Sequence, residues 1–212
     1  LYNASEDFNV VITCGQKPNV EKFQAHSVIL RARSAYFREA LSNKVAKKGG
    51  MIILNQPGIS PGAFGHILSY IYNGTITLEE DTAKMHYLEL LIASHELNLD
   101  ELLEYTQDYI VENQGEWIRQ HLVKIVRVTT NNQYLSKLGA YCQMLVNTNP
   151  SEILKAGDSL SLEEEYMILL IKRDDLQIEE IEIWNFVLKW GIFQHKSLSS
   201  DVSKWTDEDF CA

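Results

Sequence analysis

What this sequence has little of narrows its reading first. Only three cysteines, Cys14, Cys142 and Cys211, occur in 212 residues. They are far apart and odd in number, with no CxxC pair, which argues against a disulfide framework or a zinc site and fits reduced thiols. No run of about 20 apolar residues is present to cross a bilayer, and no segment has signal-peptide character. Cations are in deficit: 19 lysines and arginines against 29 aspartates and glutamates leave a net charge of −10. Phosphate backbones and anionic membrane surfaces both attract clustered cations, so neither nucleic acid nor membrane is an expected partner. The expected location is the cytoplasm, with the nucleus as a second compartment.

Catalytic signatures are missing as well. There is no P-loop, no GxGxxG and no GxSxG elbow. His95-Glu96 lacks a second histidine four residues after the first. The six histidines, His26, His66, His86, His95, His121 and His195, fall on different expected elements without ligand spacing. The adjacent acids Glu163 to Glu165 and Glu179-Glu180 point in different directions on a helix and share no site. The reading is therefore no catalytic residue, no cofactor, no metal, and no enzyme.

What is present is an ordinary folding composition, 45 % apolar and 23 % charged. Asp7 to Cys14 is β-branched and reads as a strand, and Gly15 to Asn19 has turn chemistry. Val20 to Ala25 alternates and returns as a hairpin partner. From His26 to Ser42 the apolar spacing becomes helical. Asn43 to Gly50, cationic and glycine-ended, reads as an exposed loop, and Met51 to Leu54 as a short strand. A helix over Ala63 to Tyr72 follows, ended by Asn73-Gly74. The next helix runs from Ala83 to Leu97, burying Met85, Leu88, Leu91 and Ile92. Asn98 with Glu101 then reads as a capping box opening another helix. Strands first and paired helices after give an α+β arrangement.

From Glu116 onward every sustained pattern is helical. One helix is expected through Trp117, Leu122, Ile125 and Val126, and one through Leu135, Leu138 and Cys142. Ser161-x-x-Glu164 reads as a second capping box. Lys172-Arg173-Asp174-Asp175 reads as an inter-helix corner with local ion pairs, and the stripe from Trp184 to Trp190 as core. Helices of this length with short links imply a helical array. Glu112 to Gly115, polar and glycine-ended, marks the expected boundary, giving domains 1–113 and 114–212.

Three ordered motifs in the first half resemble the BTB (POZ) family. They are His26-Ser-Val-Ile-Leu30-Arg-Ala-Arg-Ser34-Ala-Tyr-Phe37, then Phe64 to Gly74 with its Tyr72-Asn-Gly ending, then Leu88 to Leu102. The second half is similar to a BACK domain, through Leu169-Leu-Ile-Lys-Arg-Asp-Asp-Leu176, Glu179 to Trp184 and Leu188-Lys-Trp190. The resemblance implies a BTB/POZ fold, a small sheet capped by helical hairpins, followed by an all-α BACK domain truncated at its C-terminal end. His26, Leu30, Ser34 and Phe37 would be its structural signature.

The resemblance also implies a role without bond chemistry. BTB domains homodimerise and many dock cullin-3, while an attached domain holds the substrate of ubiquitination. The chain is then expected to be a fragment of a substrate adaptor, its substrate protein held by a domain beyond Ala212. The partner-contact positions would be Leu41, Val45, Lys47 and Tyr72. Departures bear on this. Val45-Ala46-Lys47 stands where many cullin-binding members have an apolar-x-Glu motif. Asn9 and Ser27 stand where repressor members carry an aspartate and a cation. Only Leu1 to Glu6 represent the family's swapped first helix. A self-associating scaffold that does not bind cullin is the alternative.

Overall fold

The computed structural model describes residues 7–42, 47–78, 86–195, 199 and 204–206; at 47 and 48 it describes the backbone alone. The chain divides into two compact units, Leu1–Glu112 and Asn113–Ala212.

The first unit is built on a sheet of four strands: β1 (Val10–Cys14), β2 (Glu21–Ala25), β3 (Lys47–Lys48) and β4 (Met51–Gln56), in the order β2-β1-β4-β3. β1 pairs antiparallel with β2, Val10 opposite Ala25, and parallel with β4, Val10 opposite Ile52. Val10, Ile12 and Cys14 all turn to one face and are fully buried, the period-two signature of a sheet with one covered side. The β1–β2 turn needs Gly15, which has φ +84° and whose added Cβ would stand 2.1 Å from the Asn19 carbonyl oxygen. The sheet corrects one expectation. Lys47 and Lys48 lie in a strand, not a loop, paired with Ile52 and Met51. Gly49 and Gly50 both have positive φ, as a two-residue hairpin turn demands.

A parallel pair of strands needs a crossover. Here α1 (Ser27–Arg33) and α2 (Ala35–Ala40) lie on it. The periodicity continues unbroken from His26 to Ser42, yet the chain bends at Ser34, which has extended φ and ψ. α3 (Pro61–Asn73) starts with Ser60 accepting the Ala63 N–H and Pro61 in the first turn. It ends on Gly74 at φ 76° and buries Ala63, Phe64, Ile67, Leu68 and Ile71, the face its sequence spacing picks out. α4 (Tyr87–Glu96) and α5 (Asp100–Asn113) follow. α4 buries Leu88 and Leu91 while Ile92 is half-buried; Met85 lies outside the described residues. Asn98 does not cap α5. It adopts φ 52° and closes α4: its N–H bonds the His95 carbonyl and the Leu99 N–H bonds the Ser94 carbonyl. That double bond with a left-handed residue is a Schellman ending, where Asn is the usual substitute for Gly.

The second unit is helical throughout its described residues: α6 (Gly115–Gln120), α7 (Leu122–Asn131), α8 (Ser136–Thr148), α9 (Ser151–Lys155), α10 (Glu164–Ile171) and α11 (Glu180–Gln194), with single 3-10 turns at Gln133–Leu135 and Ser159–Ser161. Two expectations are corrected. The helix read through Trp117 and Leu122 is broken at His121. Ser161 opens no capping box: its hydroxyl donates to the Asp158 carbonyl, and α10 begins after Glu163 without a side-chain cap. The cap that exists is non-local. The Asp158 carboxylate accepts the Val123 N–H at 3.1 Å and the Lys124 N–H at 2.8 Å, satisfying the orphan donors of α7 from 35 residues away.

Val123, Leu154, Leu162 and Leu170 form a buried cluster with Leu176, Ile178 and Phe186 packed against it. α11 contributes no fully buried residue. Trp190 is half-buried and donates its indole N–H to the Leu162 carbonyl at 2.8 Å, but Trp184 is 56 % exposed, so the stripe expected to be core is only partly so. The corner between α10 and α11 carries the expected ion pair, Arg173 gripping Asp175 with two bonds of 2.8 Å. Burial pushes the thiols of Cys14 and Cys142 up to about 12, Glu21 adding to the effect at Cys14, so both stay protonated and unreactive near neutral pH. No helix among the described residues is long and apolar enough to cross a membrane.

Asp158→Ala removes both acceptors at the start of α7 and is expected to cost about 1–2 kcal/mol. The urea midpoint should fall with an unchanged slope; an unaltered midpoint would show that the cap does not matter.

Candidate functional site

The sequence signature comes together around α1 and α2. The His26 N–H donates to the Tyr72 hydroxyl at 2.9 Å, and the same hydroxyl stands 2.7 Å from His26 Nδ1. The rings meet edge to face with centroids 5.9 Å apart. Residues 46 apart in sequence thereby tie the entry of α1 to the end of α3. Burial raises the Tyr72 phenol above its ordinary value, the His26 N–H on its oxygen pulling the other way. Next to this lock Arg33 lies over the ring of Tyr70, 5.6 Å from its centroid, and the Tyr70 hydroxyl donates to Glu101 at 3.3 Å. Burial and the Glu101 carboxylate raise the Tyr70 phenol.

Ser34 holds the other end. It caps α2 by accepting the Phe37 N–H at 3.2 Å and donates to the Leu97 carbonyl at 2.7 Å, at the end of α4. Its side chain, with Leu30 and Phe37, is buried. The serine therefore turns the chain between two short helices and pins that turn to a third. Leu30, Ser34 and Phe37 are buried, and the half-buried His26 is engaged with Tyr72.

What these residues present outward is different. Asn9 and Ser27 hold each other reciprocally: Asn9 Oδ1 accepts the Ser27 N–H at 2.8 Å and Asn9 Nδ2 donates to Ser27 Oγ at 2.9 Å. The neutral amide thus does the work of an N-cap on α1, whose own N-cap His26 makes no side-chain capping bond to the helix. Beside the pair, Val28 is 72 % exposed on the first turn of α1. The exposed Arg31 follows three residues later on the same helix.

The expected partner-contact positions separate. Leu41 is 3 % exposed, and the core of the first unit holds it. Tyr72 is half-buried and committed to His26. Lys47 lies in β3, the end strand of the sheet. Val45 lies outside the described residues. A cluster that sequence reading passed over, Ser60 and His86 on either side of the Glu89 carboxylate, has the acid between the hydroxyl and the imidazole. A nucleophile needs the base directly on it, and Ser60 is already the cap of α3. Among the described residues no three histidine, cysteine or acidic side chains stand close enough to hold a metal.

Ser34→Ala would leave the buried Phe37 N–H and Leu97 carbonyl without this partner. A loss of about 2 kcal/mol is expected, read as a lowered denaturation midpoint; a change under about 0.5 kcal/mol would contradict the role given to Ser34.

Known proteins align with both units. Residues 1–114 match the family described as BTB/POZ domain, and residues 122–204 the family described as BTB And C-terminal Kelch, or BACK. BTB/POZ domain-containing protein 9 of Homo sapiens is 27 % identical over 182 residues, covering 86 % of this chain and 29 % of the relative. The Drosophila melanogaster protein of the same name is 28 % identical over 176 residues, covering 82 % and 23 %. The chain thus spans less than a third of the length of these relatives. Among solved structures the BTB domain of zebrafish PATZ1 aligns at 27 % identity with a TM-score of 0.39, covering 49 % of this chain and 75 % of that one. With a BTB signature locked into a small sheet and helical hairpins, and a helical BACK unit after it, this chain belongs to the BTB/POZ domain family and is a protein–protein interaction module.

Proposed function

We propose that this chain is the dimeric, cullin-3-binding portion of a ubiquitin-ligase substrate adaptor. The observation that carries the reading is the tandem itself, a BTB domain directly followed by a BACK domain in one chain. Adaptors of this design need one surface to self-associate, one to hold the ligase scaffold and a spacer to the substrate. The mechanism is apolar burial and orientation alone.

Val28 supports the self-association surface. A large apolar side chain 72 % exposed on the helix that carries the family signature stabilises a symmetric contact if it meets its own copy. The Asn9–Ser27 pair beside it is neutral, so no buried charge has to be desolvated there. Light scattering of the 212-residue chain should report a dimer, and Val28→Glu should weaken it at least about tenfold through burial of an unpaired carboxylate. A strict monomer at all concentrations would overturn the dimeric reading.

For the ligase contact, calorimetry with the N-terminal region of cullin-3 should show binding. Lys47→Glu, which restores the acid of the apolar-x-Glu motif, should tighten it by about threefold or more. No detectable binding by either form would overturn the adaptor reading. The self-associating scaffold, favoured by Lys47 at the acid position, would then stand alone.

A further inference from the structure

Between α7 and α10 the second unit leaves an open groove of about 500 Å³. Its floor is the buried cluster, Val123, Leu162 and Leu170. Val126 stands half-buried along one wall, while Tyr166 and Leu169, both mostly exposed, rise along the other. Such a cleft, apolar inside with a few polar groups at its edge and a volume of a few hundred Å³, has the dimensions of a small-molecule site rather than of an extended protein interface.

The charged groups on its wall set what it would hold. They are two guanidiniums, Arg127 and Arg173, and one carboxylate, Glu163. Arg173 is closed off by its two 2.8 Å bonds to Asp175. Arg127 is not closed in this way. Its Nη2 donates to the Ser161 carbonyl at 3.0 Å, which orients it. Its Nε stands 3.4 Å from Glu163, longer than a good charge-assisted bond of about 2.7–2.9 Å. Both partners are about half exposed, where such a pair is weak. A ligand anion can displace it, using the remaining donors of a five-donor fork.

We propose that this groove binds a small amphiphilic anion, a carboxylate with an apolar body, the body lying on Val126 and Leu170 and the head on Arg127. The test is a titration of the 212-residue chain with octanoate, followed by amide chemical shifts, with 1-octanol as the neutral comparator. Saturable shifts confined to the groove are expected, with octanol binding about tenfold more weakly for want of the charge-assisted bonds. Arg127→Gln, an exposed change that leaves the fold intact, should weaken octanoate about tenfold, and Val126→Trp should fill the groove and abolish binding. The proposal fails if shifts do not saturate or instead spread along the exposed face of α11. It fails equally if octanol binds as well as octanoate, if neither variant changes the affinity, or if an acidic amphipathic peptide binds the groove and octanoate does not.

Discussion

The first unit depends on one buried hydroxyl. At Ser34 the chain must leave one helix, begin another and stay attached to a third element, and one oxygen serves the last two needs by accepting from Phe37 and donating to Leu97. Without it two short helices, each too short to be stable alone, would lose the bond that ties their junction to the end of α4. With it, Leu30 and Phe37 are held at zero exposure. The crossover between the parallel strands Val10–Cys14 and Met51–Gln56 is thereby fixed. His26 and Tyr72 fix the entry to the same hairpin. The inward set of side chains is employed in holding the hairpin, while Val28 faces outward and is 72 % exposed.

Much of this was legible in the residues. Strand alternation in Val10 to Cys14 and the apolar stripe of Pro61 to Asn73 are dictated by burial on one face, and such patterns survive in any sequence that folds this way. What the residues did not reveal were breaks that keep the period. The interruptions at Ser34 and His121 leave the apolar spacing intact, since a one-residue kink shifts a helical face only slightly.

The other misreadings share a different cause: local chemistry with two uses. Asn98 and Ser161 are good helix openers by type, yet one closes a helix and the other ends a 3-10 turn, because the actual partners lie elsewhere. The cap on Leu122–Asn131 comes from Asp158, a pairing no short-range pattern contains. Lys47 and Lys48 looked like a solvated run, and the Gly49-Gly50 signal for a two-residue hairpin was overlooked beside them. Trp184 was assigned to the core by its type, and its exposure is a property of the packing alone. Of the residues expected to meet partners, Leu41 and Tyr72 are engaged within the fold, as family position does not say which way a side chain faces.

Native-state amide hydrogen exchange tests the role of the hairpin lock most directly. If Ser34 and Tyr72 hold α1 and α2 to the rest of the first unit, the amides of His26 and Phe37 should exchange as slowly as that of Ile12 in the central strand, opening only with global unfolding. Exchange of those two amides at the rate of exposed turn positions, while Ile12 stays protected, would contradict it.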